Sequence, residues 1–410
     1  MSDLYAPIAG FQLAGVASGI KKKKGALDLG LILADEAVPA AGVFTKNRVK
    51  AAPVLLAMER LQGGKAHAVL VNSGNANACT GKKGAKAAEQ TTLEVAQALG
   101  IRPSNVLPAS TGVIGVVLPT RPVKRSAKKL VRDLAPDGAA RFAEAILTTD
   151  QGPKAARAHF KHGRRECSVL AIAKGAGMIH PDMATTLAFV LTDAPVKKGF
   201  LRRALREATD ATFNRISVDG DTSTNDCILA LASGAAGGKP IRDGKKQKGA
   251  PRKRGVAARR FVAALKEVLE DVALQIVADG EGAQHVARIV VKGAKDDRAA
   301  LTLARTIATS SLVKTAMHGC DPNWGRILGA AGRAGVELDW ERAEVRVGDV
   351  VVFRRGVTTM DRRTEKRAAA VMKRVRYDLE LRLKDGKGAA HYWTCDLGHE
   401  YVRINADYRT

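Results

Sequence analysis

The chain has 410 residues and a formal net charge of +26, with 46% hydrophobic and 4% aromatic residues. This length exceeds what one hydrophobic core usually supports, so we expect two domains or one large layered unit. The hydrophobic content is typical of a globular protein, and no apolar run is long enough to cross a membrane. The segment Met1–Gly10 has neither a signal-peptide nor a transit-peptide pattern, which predicts a cytoplasmic protein.

The positive charge favours a nucleic-acid-binding protein at first sight, because the basic residues are concentrated in a few segments. One run covers Lys21–Lys24, a second lies within residues 239–260, and a third includes Arg362, Lys366 and Lys373. Recognition of nucleic acid usually adds aromatic stacking residues or a known module, and no aromatic residue interleaves these runs. We therefore interpret them as solvated faces and a flexible loop, and we predict no specific nucleic-acid partner. A basic surface would still attract an anionic substrate.

The metal-ligating and redox residues show no pattern of a known site. The cysteines are odd in number and lack CxxC spacing, which argues against both a disulfide framework and a zinc site. The histidines show no paired spacing, so the sequence predicts no metal site. The scattered cysteines are Cys79, Cys167, Cys227, Cys320 and Cys395.

Helix and strand patterns alternate through the first half of the chain. His67–Val71 predicts a short buried strand, and Ala85–Leu99 predicts a helix that ends at Gly100. Further along, Val169–Ala173 and Leu187–Val190 predict apolar strands on either side of a glycine-rich segment.

In the second half, apolar stripes predict two amphipathic helices, over residues 201–208 and 265–276. Residues 237–255 have no core-facing stripe, so we expect an exposed loop there. Strict alternation over Val375–Leu383, followed by a glycine-containing turn, predicts an antiparallel hairpin whose returning strand is His391–Cys395. Together these patterns predict a layered α/β protein.

Residues 174–186 read KGAGMIHPDMATT and carry the strongest chemical signal. They place Thr185 after a small residue and before the apolar run Leu187–Leu191, and their glycines and proline permit a bent backbone. A threonine in this position can attack its own Ala184–Thr185 peptide bond. It would become an N-terminal Thr, whose free amine acts as base for its hydroxyl. A glycine-rich loop that leads into a buried strand would explain the same local pattern.

Further motifs surround this segment in a fixed order. They are residues 72–77 (NSGNAN), 110–115 (STGVIG), 148–150 (TTD), 218–226 (VDGDTSTND), 279–282 (DGEG), 321–326 (DPNWGR) and 401–410 (YVRINADYRT). In this order the set closely resembles the ornithine acetyltransferase (glutamate N-acetyltransferase) family of arginine biosynthesis, from about Gly10 to the last residue. The resemblance implies a layered α/β/β/α sandwich with mixed, largely antiparallel sheets, of the N-terminal-nucleophile type. It also places the nucleophile at the start of a central strand.

The resemblance implies self-cleavage at one defined peptide bond. The family pattern places the cut before the Thr that follows Met-Ala, which selects Thr185 over Thr186 as the nucleophile. Cleavage between Ala184 and Thr185 would give an α chain of residues 1–184 and a β chain of residues 185–410.

The resemblance also assigns roles to residues far from the cut. Thr111 and Gly112 match the family's oxyanion hole, the donors that stabilise a tetrahedral intermediate. Lys174 would bind a substrate carboxylate, and Glu281 would bind the ammonium group of an amino acid. Asn405 and Thr410 are expected to contribute from a terminal strand. The full set of implied substrate-binding residues is Thr148, Lys174, Thr185, Glu281, Asn405 and Thr410.

The reaction implied by the resemblance is a ping-pong acetyl transfer. Acetyl passes from N2-acetyl-L-ornithine to Thr185 as an ester, ornithine leaves, and L-glutamate takes the acetyl group. No cofactor or metal is expected. Some family members also accept acetyl-CoA as donor, and the sequence leaves that choice open. The expected assembly is a heterotetramer of two α and two β chains. The alternative is a related N-terminal-nucleophile amidase or aminopeptidase, which would release free acid or amine and lack the long matching C-terminal tail.

Overall fold

The computed structural model describes residues 3–180, 186–247 and 250–407, and for residues 245–247 and 250–252 only the backbone. The strands are β1 (Phe11–Val16), β2 (Leu29–Phe44), β3 (Lys65–Asn72), β4 (Val106–Ser110), β5 (Lys154–His162), β6 (Arg165–Lys174), β7 (Leu187–Thr192), β8 (Ile216–Ser217), β9 (Cys227–Ala232), β10 (Lys245–Gln247), β11 (Ala250–Lys253), β12 (Val286–Ala294), β13 (Glu344–Val347), β14 (Val350–Arg354), β15 (Val357–Thr358), β16 (Arg376–Arg382) and β17 (Gly388–Cys395). The helices are α1 (Ala52–Arg60), α2 (Gly81–Leu99), α3 (Thr120–Arg132), α4 (Ala139–Ala145), α5 (Lys198–Ala211), α6 (Val256–Ala278), α7 (Asp297–Ala308), α8 (Ser311–His318), α9 (Trp324–Gly332), α10 (Arg362–Met372) and α11 (His399–Asp407). Within the described ranges, every helix is too short or too polar to cross a membrane.

A bent sheet forms the centre of the N-terminal part. Its strand order is β4–β3–β2–β9–β7–β6–β5, and β1 pairs with β2. The long strand β2 pairs with β3 through Leu29–Pro39 and with β9 through Ala40–Phe44. The two halves of the sheet pack against each other, since Val69 of one half and Phe189 and Leu229 of the other belong to one core.

Helices cover the outer face of each half. Helices α2 and α3 pack Val95 and Leu130 against the half that contains β3. Helices α5 and α6 pack Leu205 and Leu265 against the half that contains β6 and β7. The order of layers is therefore α/β/β/α, and the predicted fold class is confirmed. The sheet is mixed: β3 and β4 are parallel, β7 and β9 are parallel, and the other pairs are antiparallel.

The strand that follows the Thr pair lies in the middle of this sheet. Every residue of β7 is buried, and β7 pairs with β6 on one side and β9 on the other. Because layers cover both faces, the strand is apolar throughout, without alternation. The predicted strands at 67–71 and 169–173 lie within β3 and β6, and the predicted helix ends where Gly100 adopts a φ of 68°.

The C-terminal part contains a second sheet, of order β15–β14–β13–β16–β12–β17–β8, covered by α7 to α10. The predicted hairpin of β16 with β17 is wrong, because β12 lies between them. The connection passes over the end of β12, where Asp385 and Gly386 donate their N–H groups to the carbonyl of Gly293. Alternation reports which face of a strand is buried, but it does not identify the neighbouring strand.

Two other expectations differ from the structure. The expected loop at 237–255 contains a two-stranded antiparallel ribbon of β10 and β11. The expected terminal strand is wrong as far as residue 407, because His399–Asp407 form helix α11. An i,i+3 pair of Glu400 with Arg403 supports that helix, and Val402 is exposed rather than buried in a sheet.

Candidate active site

One cavity lies where β6 ends and β7 begins. The structure brings together around it the predicted residues Thr111, Gly112, Thr148, Lys174, Glu281 and Asn405. Thr186, which follows the predicted nucleophile, also lines the cavity, and its buried hydroxyl has no hydrogen-bond partner in the described part of the chain. Ala184, Thr185 and Thr410 lie outside the described residues.

The predicted oxyanion turn follows strand β4. Asn72, at the end of β3, accepts the N–H of Thr111 over 2.9 Å through its backbone carbonyl. Gly112 has a φ of 126°, and a Cβ there would lie 2.6 Å from the backbone nitrogen of Asn75, so only glycine fits. With the N–H of Thr111 engaged, the candidate donors toward the cavity are the Thr111 hydroxyl and the Gly112 N–H.

Asn225 holds this turn against the neighbouring loop, a role that the sequence analysis missed. Its Nδ2 donates to the carbonyls of Ala76 over 2.6 Å and Ser110 over 2.8 Å. Asn225 is buried and lines the cavity just before β9 begins. The only sign in the sequence that Asn225 has a role was its place in the motif at residues 218–226. No spacing rule predicts its contact with Ser110.

Lys174 is the cationic side of the cavity. Its Nζ donates to Thr148 Oγ1 over 2.6 Å, and Asp150 Oδ2 lies 3.7 Å from the same Nζ. Asp150 Oδ1 accepts from Lys154 Nζ over 2.7 Å and from the N–H of Gly175 over 2.6 Å. Burial alone would raise the pKa of Asp150, but Lys174 and Lys154 outweigh burial and hold the pKa below its ordinary value. An ionised Asp150 therefore holds Thr148 and the end of β6 in place. Asp150 belongs to the TTD motif, but no role was predicted for it.

Glu281 provides a carboxylate on the other side. It is 9% exposed, its N–H donates to the carbonyl of Ala176, and its Oε2 accepts from Asn405 Nδ2 over 2.8 Å. The carboxylate packs directly on Gly177, where an added Cβ would lie 2.5 Å from Oε2. The cavity thus presents an ammonium group and a carboxylate, the arrangement that complements the two charges of an amino acid.

Asp219 connects the segment before the Thr pair to helix α11. Its Oδ2 accepts the N–H of Met178 over 2.5 Å, and its Oδ1 accepts the N–H of Ile179 over 2.9 Å. Burial raises the pKa of the Tyr401 hydroxyl, with contributions from nearby carboxylates and its side-chain hydrogen bond with Asp219. Asp219 and Tyr401 both line the cavity, and neither was among the predicted site residues.

The four layers, with the mixed sheet around β7 at their centre, define a layered α/β sandwich protein with one cavity at the start of its central strand. The ArgJ family model matches residues 12–410. The chain is 46% identical over 403 residues to the arginine biosynthesis bifunctional protein ArgJ of Desulfotalea psychrophila, across 98% of this chain and 100% of that protein. It is 44% identical over 403 residues to the protein of the same name from Geobacter sulfurreducens, with the same two coverages. A solved structure of an ornithine acetyltransferase complexed with ornithine, from Mycobacterium tuberculosis, is 36% identical, with a TM-score of 0.38 over 44% of this chain and 94% of that chain.

This chain belongs to the ArgJ family, a family of proteins of arginine biosynthesis. The resemblance seen in the sequence motifs is thereby confirmed over nearly the whole chain.

Proposed function

We propose that this chain is a glutamate N-acetyltransferase that moves acetyl from N2-acetyl-L-ornithine to L-glutamate through an ester on Thr185. The observation that carries the proposal is the convergence of Thr111, Lys174 and Glu281 on one cavity beside the start of β7. Family membership supports it, because the relatives are named as bifunctional proteins of arginine biosynthesis.

The charges of the cavity suit both substrates. Each is an amino acid or its N-acetyl derivative, so each brings a carboxylate that Lys174 can bind. Free glutamate and departing ornithine also carry an α-ammonium group, which Glu281 can bind. The Thr111 hydroxyl and the Gly112 N–H then stabilise the oxyanion that forms when a nucleophile attacks the acetyl carbonyl. The exchange itself needs no cofactor.

Self-cleavage precedes transfer in this proposal. The Thr185 hydroxyl attacks the carbonyl carbon of Ala184, the C–N bond breaks, and an ester replaces the peptide. Water hydrolyses the ester, which leaves a carboxylate on Ala184 and a free α-amine on Thr185. That amine has an ordinary pKa near 8, so it can take the hydroxyl proton in the next step and return it to the leaving amine.

The first experiment tests cleavage by intact mass of the purified protein. We expect two chains, residues 1–184 and 185–410. Thr185→Ala should remain uncut and inactive, whereas Thr186→Ala should still be cut. Full-length protein with full activity would refute the mechanism, and cleavage of Thr185→Ala but not of Thr186→Ala would move the nucleophile by one residue.

The second experiment measures acetyl transfer on processed protein with each donor. N-acetylornithine should give N-acetylglutamate only when glutamate is present, with parallel double-reciprocal lines. Release of acetate at the same rate without glutamate would favour the amidase or aminopeptidase alternative. The same assay with acetyl-CoA decides whether the enzyme is bifunctional.

We further propose that the two chains remain associated and form a heterotetramer of two α and two β chains. Segments from both sides of the cut share one sheet, since β6 and β7 are adjacent strands. Their separation would expose the buried faces of both strands. Native mass of the processed protein tests this assembly: a single αβ unit would contradict it.

A further inference from the structure

One face of the sandwich collects basic side chains from separate parts of the chain. They come from the β5–β6 turn, helix α5, the segment between β9 and α6, and the start of α6. We call this surface the distal basic face. Its exposed members are Lys161, Arg164, Arg165, Arg202, Arg206, Lys239, Arg242, Lys253, Arg259 and Arg260.

Direct contacts make this surface continuous. Arg260 Nη1 donates to the carbonyl of Lys161 over 3.2 Å, which joins α6 to the β5–β6 turn. Arg165 Nη1 donates to the carbonyl of Ala236 over 3.2 Å, which joins that turn to the segment after β9. Only the run at 239–260 is visible in the sequence, because the other contributors are isolated there and meet only in the fold.

Four carboxylates lie in these segments: Glu166 and Asp210 are exposed, and two others are engaged by basic side chains. Asp243 accepts from Arg203 over 2.6 Å and from Arg254 over 3.1 Å. Glu207 pairs with Arg254 and Lys266 over 2.6 and 2.9 Å. Within the described part of the chain, none of the exposed basic members named above forms an ion pair. The face therefore keeps a large positive excess that no internal partner neutralises.

This surface lies far from the cavity. Strand β6 runs from Arg165, on the distal basic face, to Lys174 in the cavity. Nine strand steps of about 3.3 Å separate the two ends by about 30 Å. That distance exceeds the Debye length of about 8 Å at physiological ionic strength, so the face contributes little to attraction of glutamate. The positive charge of this face therefore indicates a partner other than the substrate of the cavity.

We propose that the distal basic face binds the phosphodiester backbone of nucleic acid without reading its sequence. Arginine forks and lysine ammonium groups match phosphate oxygens, and backbone contacts alone give sequence-independent binding. Where the structure describes the contributing segments, they carry no exposed aromatic side chain to stack on bases. Of the large apolar side chains exposed in the described part, only Val256 lies in these segments, so the face lacks the apolar residues that insert into a lipid surface.

The test measures fluorescence anisotropy of a labelled 20-base-pair DNA duplex with processed protein. We expect a Kd of about 10⁻⁶ M at low salt, and about six phosphate contacts would give a slope of log K against log salt near −5. Two unrelated sequences should bind equally, and an RNA duplex should bind with similar strength. A preference for one sequence would overturn the proposal.

A matched pair of variants separates this face from the total charge. The face variant carries Lys161→Gln, Arg164→Gln, Lys239→Gln and Arg242→Gln. The control removes the same number of lysines and arginines from the α10 region by Arg362→Gln, Arg363→Gln, Lys366→Gln and Lys373→Gln. These side chains are all exposed, and none has a side-chain hydrogen bond or ion pair in the described part of the chain.

We expect the face variant to bind the duplex at least tenfold more weakly. The slope of log K against log salt should become shallower by about 3 to 4, since each phosphate contact contributes about 1. The control should bind like the parent protein, and both should keep acetyl transfer and thermal stability. Equal losses in both variants would show that net charge alone is responsible and would overturn the proposal. Absence of duplex binding at low salt, with binding to phosphatidylserine vesicles instead, would also overturn it.

Discussion

Gly177→Ala should damage acetyl transfer without unfolding the protein. The added Cβ would lie 2.5 Å from both the Cδ and the Oε2 of Glu281. Ordinary contacts between carbon atoms are about 3.5–4.0 Å, so the carboxylate must move by about 1 Å. A displacement of about that size in a positioned group lowers rate by about 10²-fold. We therefore expect kcat/KM to fall by about that factor.

The stability of this variant should change little. Gly177 is not in the left-handed region, so its backbone accepts alanine without strain. The group that must move is the flexible end of a side chain, and alanine also reduces the entropy of the unfolded chain, so the net change should stay within about 1 kcal/mol. Thermal unfolding and intact mass are measured first, so that kinetic constants come from folded and fully processed enzyme.

Two further variants make the result specific. Gly152→Ala is the control, because an added Cβ there has no heavy atom within 4 Å. Adding Glu281→Asp to Gly177→Ala shortens the displaced side chain by one methylene, so the double variant should be less impaired than the product of the single effects. If Gly177→Ala transfers acetyl within about threefold of the parent, the position of Glu281 does not matter and its assigned role is refuted.

Other predictions address the remaining parts of the site. Thr111→Ala should lower kcat by about 10²–10³-fold with an unchanged fold, and a loss below about threefold would reduce Thr111 to a turn residue. Asp150→Asn removes the negative charge beside the buried ammonium groups of Lys154 and Lys174. This loss should lower the free energy of unfolding by about 3–5 kcal/mol at pH 7. Because the pKa of Asp150 is depressed in the folded state, this contribution is complete above its ordinary pKa of about 4 and is lost progressively as the pH falls from there toward the lower pKa of the folded protein. The melting temperatures of parent and variant should therefore converge only in strong acid. Removal of residues 409 and 410 should cripple transfer and leave self-cleavage intact; normal transfer with unchanged KM would exclude Thr410 from the site.

The sequence determined which residues could act and which strands are buried. The strands around residues 169–173 and 187–190 were predictable because a strand covered on both faces must be apolar throughout. The described candidates Thr111, Lys174 and Glu281 belong to motifs whose order identified the family. These features depend on local composition and on residue identity, which the sequence states directly.

Only the tertiary structure decided which elements become neighbours. Strand β12 enters between β16 and β17 because pairing depends on the whole sheet, and no alternation pattern encodes the partner. Asp150 becomes a buried counter-ion because it meets Lys154 and Lys174, which the sequence separates from each other by a full hairpin. Residues 399–407 form a helix rather than a strand, and Asn405 on that helix donates to Glu281, which lies 124 residues earlier in the chain. Long-range pairing of this kind is set by the free energy of the complete fold, so it is absent from any local segment of the chain.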